Sequence, residues 1–320
     1  LCKNTSGDNN TAVGFCSLIC NVSGGNNTAV GNFALKANTT GGNNASVGHN
    51  SMLANTEGGS NVAMGRNALK ANTTANLNTA VGDCALQANT TASDNSAFGA
   101  YALRTNTTGA SNVAVGKNSV LANTTGASNT GLGYNALSKN TTASNNTAVG
   151  SSSLACNTTG FSNTALGYNS LATNISGCQN VAIGMQALDS QTAGDGNTAL
   201  GNESLTVVTT GNYNTGTGWL SGVDVTTGDN NSFLGKDAGR TGSPGGSITT
   251  ADNNIVLGDE NISNLFCADT SISSSDLRDK TDIEDFTHGL DFVTKLKPKT
   301  YKWDKRAWYI SKNRTKEELL

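Results

Sequence analysis

Apolar and polar positions along this chain recur with a step of 17 residues. The first full unit opens Asn10-Thr11-Ala12-Val13-Gly14, and close copies end at Gly31, Gly48, Gly65, Gly82, Gly99, Gly116, Gly133, Gly150, Gly167, Gly184, Gly201, Gly218 and Gly235. A fifteenth ends at Gly258, after a six-residue insertion. One residue before each glycine but Gly218 the chain is apolar, as in Val13, Met64, Phe98, Leu132, Ile183 and Leu257, and three before it stands mostly Thr or Val. Alternation puts these two on one face of a strand and the small residue between them (Ala12, Ala63, Ala165) on the other. Four residues after the glycine runs a second apolar column: Leu18, Leu35, Leu69, Leu86, Leu103, Leu137, Leu154, Leu171, Leu188 and Leu205. Each unit is therefore expected to supply two short strand-like segments, with an interior one Val and one Leu wide and the alanines along an outer edge.

The step itself selects the architecture. Helix-pair repeats need about 33–47 residues, and Gly, Asn and Thr are poor helix formers. An all-β, parallel β-solenoid with one unit per turn fits instead, climbing about 65 Å over fourteen turns at one strand spacing each. Composition agrees: a chain of 320 residues with 38 glycines, 36% hydrophobic and 5% aromatic residues can line a thin coil but not a broad globular core.

An asparagine stands four residues before every one of these glycines: Asn10, Asn27, Asn44, Asn61, Asn78, Asn95, Asn112, Asn129, Asn146, Asn163, Asn180, Asn197, Asn214, Asn231 and Asn254. The expectation is a ladder of stacked corner residues whose amides pair with backbone or with one another. A second column, seven residues after the glycine, contains Asn4, Asn21, Asn38, Asn72, Asn89, Asn106, Asn123, Asn140, Asn157 and Asn174, each followed by x-Ser/Thr; Asn55 is the member of the column without that sequel. Corner chemistry alone generates such a pattern, while in a secreted protein it reads as N-glycosylation acceptors.

No catalytic constellation is apparent in the repeats. His49 is their only histidine, carboxylates such as Asp83, Asp94, Asp195 and Asp229 are read as sharing no column, and no metal, cofactor or turnover enzyme is expected. The seven cysteines follow no ligand spacing, and Cys16 and Cys84, which share a repeat position, lie four turns apart. A net charge of −3 argues against nucleic acid as a partner, and no apolar run approaches a membrane span.

Asn-Thr-Ala-Val-Gly and its variants Asn-Val-Ala-Met-Gly (61–65) and Asn-Val-Ala-Ile-Gly (180–184) resemble the head repeats of trimeric autotransporter adhesins. The resemblance implies a β-roll and a homotrimer. A reason for trimers independent of it is the alanine column, which would let neighbouring backbones approach closely. From about Ser273 the composition changes. Residues 276–320 hold eleven Lys/Arg and nine Asp/Glu, so the expected division is a solenoid over 1–239, a loop, last strand and connector over 240–274, and a small α+β domain over 275–320.

That domain opens Ser275-Asp276-Leu277-Arg278-Asp279-Lys280, followed by Ile283, Gly289-Leu290, Leu296, Pro298 and Tyr301. The pattern resembles the C-terminal intramolecular chaperone of phage tail spikes and tail fibres, also classed as the S74 peptidases. The resemblance implies trimerisation, templating of the β-rich stalk ahead of it, and a single self-cleavage between Ser274 and Ser275. A serine becomes a nucleophile when a neighbouring lysine of depressed pKa takes its proton. Ser275 and Lys280 are the expected pair, with Asp276 and Arg278 holding the geometry. Together these features point to a fibre on a virion surface that meets a host receptor or polysaccharide. An extracellular, glycan-bearing adhesin is the alternative.

Overall fold

The computed structural model describes residues 2–264. Ser275, Asp276, Arg278 and Lys280 lie outside the described residues, as does Cys267. Contacts divide the chain into two units, residues 1–264 and 265–320.

The first unit is a parallel β-solenoid. Fifteen strands of three residues each, from β1 (Thr11–Val13) and β2 (Thr28–Val30) through β14 (Ser232–Leu234) to β15 (Ile255–Leu257), form one sheet in sequence order. Register follows the repeat: Thr11 faces Thr28, Ala12 faces Ala29 and Val13 faces Val30. The inserted residues between β14 and β15 leave it intact, with Ser232 opposite Ile255. No helix occurs among the described residues, so none there is long and apolar enough to cross a membrane.

There is one strand per turn, not two. The leucine column lies in tight turns, with Leu18 at φ 48°, Leu35 at 49° and Leu154 at 50°. The residues two positions earlier, such as Cys16 and Phe33, also have positive φ. Burial explains the departure. Ala34 and Leu35 are adjacent and both fully buried, whereas neighbours in an extended strand point to opposite faces. Left-handed residues on that side let the chain send two consecutive side chains inward. Each such leucine costs about 1–2 kcal/mol of local strain, offset by its burial and by turn-to-turn backbone bonds such as Leu18 N–H to Ala34 O at 3.1 Å.

The two faces of the strand are also the reverse of the sequence expectation. The alanine column is the interior: Ala29, Ala63, Ala97, Ala148, Ala165 and Ala199 are fully buried. The larger column points out, with Val13, Met64, Phe98, Leu132 and Leu166 each more than 40% exposed. Space decides this. At Gly131, which replaces alanine in that column, an added Cβ would sit 2.6 Å from both Ser119 Oγ and Val120 Cγ2. The interior between the leucines and the strand admits a methyl group and little more, so alanines along an outer edge cannot be the reason for a trimer.

The last turns prove the rule by compensation. Gly222 and Gly239 take the leucine position, and the alanine position opposite is filled by Phe233, which is 1% exposed. A Cβ on Gly239 would lie 2.4 Å from the Phe233 ring, and one on Gly222 would lie 2.6 Å from it.

Candidate functional site

Nearly half of the buried side chains are polar, and most of those are amides. Thirteen of the fifteen lead asparagines, Asn27 through Asn231, are at most 1% exposed, while Asn10 and Asn254 at the two ends are half-buried. The bonding repeats. Asn129 donates its backbone N–H to Asn112 Oδ1 at 2.9 Å and its Nδ2–H to Ala143 O at 2.8 Å, while its Oδ1 accepts from Asn146 N–H at 3.0 Å. A buried polar group without a partner costs about 1–3 kcal/mol; in this column the turn above or below supplies most partners, while Asn95 Nδ2 donates within its own turn to Ser93 O at 3.1 Å.

The second asparagine column forms a parallel ladder. Asn21, Asn38, Asn55, Asn72, Asn89, Asn106, Asn123, Asn140, Asn157 and Asn174 are fully buried, and Asn4 is half-buried. Each Nδ2 from Asn21 to Asn174 donates twice: to the Oδ1 one turn earlier, as from Asn38 to Asn21 at 2.7 Å, and to a carbonyl three residues on, as from Asn38 to Gly41 at 2.9 Å. Nδ2 is the nitrogen that a glycan would occupy. In the closed coil both of its hydrogens are committed and it has no route to solvent, so sugar there requires attachment before the coil closes and loss of at least one of the two bonds.

The ladder stops at a defect. Gln191 follows Asn174 in the column, and its longer side chain turns aside, donating to Gly194 O at 2.7 Å and accepting from Asn197 at 3.0 Å. Asn174 Oδ1 is left as a buried oxygen with no partner. Replacing Gln191 with Asn restores the donor, and the expected outcome is a gain of about 1 kcal/mol in chemical denaturation. Unchanged or lower stability would show that the Gln191–Asn197 bond is worth as much as the missing rung. Beyond Gln191 the column turns apolar, with Val208, Val225 and Ile248.

The carboxylates are less scattered than the sequence reading held. Asp195 and Asp229 do share a column, with Asn212 between them and Asp252 above. Each oxygen caps the backbone one turn earlier: Asp195 Oδ1 accepts from Cys178 N–H at 2.6 Å, Asp229 Oδ1 from Asn212 N–H at 2.6 Å, and Asp252 Oδ1 from Asp229 N–H at 2.7 Å. These are acceptors for corner amides. No group of three or more His, Cys, Asp or Glu among the described residues could hold a metal, and the six described cysteines form no disulfide. Asp83 pairs with exposed Arg66 at 2.9 Å, and Asp94 is a turn residue with φ 63°. The Asp189 carboxyl is pushed above its usual range by burial.

A concentration of charge that sequence reasoning missed surrounds the insertion. Arg240 Nη1 donates to Asp237 Oδ1 at 2.6 Å, Lys236 Nζ contacts the Asp237 carboxylate and lies 3.7 Å from Asp259, and Asn261 holds Asp259 through its side-chain and backbone N–H. The Lys236 ammonium and the Arg240 guanidinium hold the Asp237 carboxyl below its usual range, and the Asn261 bonds do the same for Asp259. The sequence signal was available, since this is the one place where the step lengthens from 17 to 23 residues.

The described part of the chain is thus a narrow, amide-laddered parallel β-solenoid. Residues 275–317 match the model of the Peptidase_S74 family, described as the chaperone of endosialidase. No curated protein and no solved structure was found to match the chain.

Proposed function

We propose that the chain is the shaft and release segment of a homotrimeric, tail-fibre-like protein that attaches a virus particle to a host surface. One observation carries the reading: a solenoid with an outward column that is apolar in every turn but that of Thr217 is followed by a segment matching an endosialidase chaperone. Val13, Met64, Phe98, Leu132, Leu166, Ile183, Leu200, Leu234 and Leu257 all lie on the outer face of the sheet at 36–58% exposure. A partner for such a stripe needs the same axial repeat. A second and third copy of the coil have it. A specific interface buries about 800 Å² per partner, which over fifteen turns asks only about 50 Å² of each.

In this reading the C-terminal segment gathers three chains and sets their register, which a repeat alone leaves open because a slip of one turn costs little. Ser275 Oγ would then give its proton to Lys280 and attack the carbonyl of Ser274, displacing its own backbone nitrogen to leave an ester that water hydrolyses, with Asp276 and Arg278 as positioning groups. The solenoid remains and the chaperone departs.

Sedimentation equilibrium tests the assembly. The expected species is a trimer, and Leu166→Lys with Leu200→Lys is expected to yield monomers that keep the wild-type circular dichroism spectrum. A wild-type monomer would overturn the reading. On a denaturing gel, the full chain is expected to show two bands and Ser275→Ala one; equal patterns would dispose of the cleavage.

A further inference from the structure

We propose that the cleft between the insertion after β14 and the segment after β15 binds one ring of a neutral carbohydrate chain, with Trp219 as the stacking platform beside it. The inference rests on the attachment reading and names where on this chain the ligand is met.

The cleft has a volume of about 220 Å³ and is lined by Lys236, Asp237, Arg240, Asp259, Glu260 and Asn261, among others. Drug-sized sites span about 300–1,000 Å³, so the space suits part of a ligand whose remainder runs over the surface. The added chain of the insertion borders this concavity, at the point where the 17-residue step is broken.

Its chemistry is mixed, two cations against three carboxylates, and both cations are paired. Lys236 is shared between Asp237 and Asp259, and Arg240 is paired with Asp237. No cation is held apart for an anionic ligand. Moreover, residues 181–264 carry nine Asp or Glu (189, 195, 203, 224, 229, 237, 252, 259 and 260) against two bases, Lys236 and Arg240. That excess repels polyanions. What the walls offer is N–H donors and carboxylate acceptors side by side, the pattern that matches adjacent hydroxyls, each of which both donates and accepts. The Asp237 and Asp259 carboxylates are held in their charged, accepting form by the neighbours already described.

The aromatic surface stands in line with the cleft. Trp219, Lys236 and Asp259 follow one another in a single column, each the residue after its turn's glycine, and so lie about one strand spacing apart. The Lys236 ammonium is 5.3 Å from the Trp219 ring centre. The indole N–H meets the Asn202 side-chain oxygen at 3.3 Å with that amide oriented to accept. The tryptophan is fixed from both sides, yet 48% exposed. A flat apolar face next to a polar cleft suits a pyranose ring, which has a C–H face and a hydroxyl rim.

The test uses the full chain and calorimetric titration with maltotetraose, cellotetraose and chitotetraose as neutral probes, and sialyllactose and heparin as acidic ones. At least one neutral probe is expected to bind, with affinity falling tenfold or more in Trp219→Ala and in Asp259→Asn while the melting curve is unchanged. Binding of none of the neutral probes, binding of acidic probes only, or equal affinity in both variants would overturn the proposal. Sedimentation of the same samples keeps the two readings apart: a trimer that binds no neutral probe sinks the cleft alone, and a monomer that binds one through Trp219 sinks the fibre alone.

Discussion

Gly150→Ala is expected to break the coil in two. Gly150 has φ 130°, where side chains are strained, and a Cβ built on it would lie 2.4 Å from Gly167 O and 2.7 Å from Gly167 C. Both atoms are backbone of the next turn, so neither can swing away. Strain of about 1–3 kcal/mol and overpacking of a similar size make the loss on the order of 3–5 kcal/mol. In a stack, stability is a sum of turn and neighbour terms. The damage therefore falls on one junction, and thermal unfolding followed by circular dichroism is expected to separate into two transitions. Gly25→Ala is the control. Its Cβ would lie 3.3 Å from Asp8 O, and Ala110 and Ala127 already occupy the same repeat position, so a change within about 0.5–1 kcal/mol is expected. A Gly150→Ala coil as stable as wild type would mean that adjacent turns are not in the contact described.

The reason so much of the fold was legible is that this glycine cannot be replaced. Its 17-residue spacing gives the turn length, and the turn length gives a solenoid. The faces were harder to read. Alternation fixes only parity: it says that Val13 and Ala12 point opposite ways, and hydrophobicity then favours the valine inside. Volume reverses that choice, and volume is a property of the closed turn. A sequence signal did exist. The outward column varies freely among Val, Met, Phe, Leu, Ile and Thr, as an exposed position can, while the alanine column stays small until Phe233, where Gly222 and Gly239 replace leucine. That exchange of large for small marks two positions facing each other across an interior.

The second strand was misread for a related reason. The leucine column is apolar and periodic, but the small residue before each leucine, such as Ala34, Ala68 and Ala85, is buried too, and two adjacent inward residues exclude an extended chain. The Asp195–Asp229 column needed only the observation that the two are 34 residues, or two turns, apart. The step from 17 to 23 residues marks where the chain departs from the repeat, but not the cleft around Arg240, because inserted residues have no column to be compared with. Six added residues could have formed a featureless loop; salt bridges to Asp237 and the bonding of Asp259 give this one its walls.

The asparagine ladders carry the other large expected effect. Asn123 is fully buried; its Nδ2 donates to Asn106 Oδ1 at 2.7 Å and to Gly126 O at 2.8 Å, and its Oδ1 accepts from Asn140 at 2.9 Å. Asn123→Asp keeps the shape and loses the donors. One carboxylate oxygen would face two acceptors away from water, which raises the folded-state pKa well above the unfolded value near 3.9. The folded variant then holds a proton that the unfolded chain releases, so its stability is greatest at about pH 4 and falls as pH rises toward the folded pKa. At pH 7 the deficit against wild type is expected to be on the order of 3–4 kcal/mol. Asn26→Asp places the same change on an exposed asparagine of the outer corner, whose amide contact to Asn43 spans 3.3 Å, and is expected to stay within about 0.5 kcal/mol with no added pH dependence. Urea denaturation of both variants at pH 4 and pH 7 reads the difference directly. Equal, pH-independent curves would place the Asn123 amide in water rather than in the ladder, and with it the physical basis for a coil whose inside is half polar would be gone.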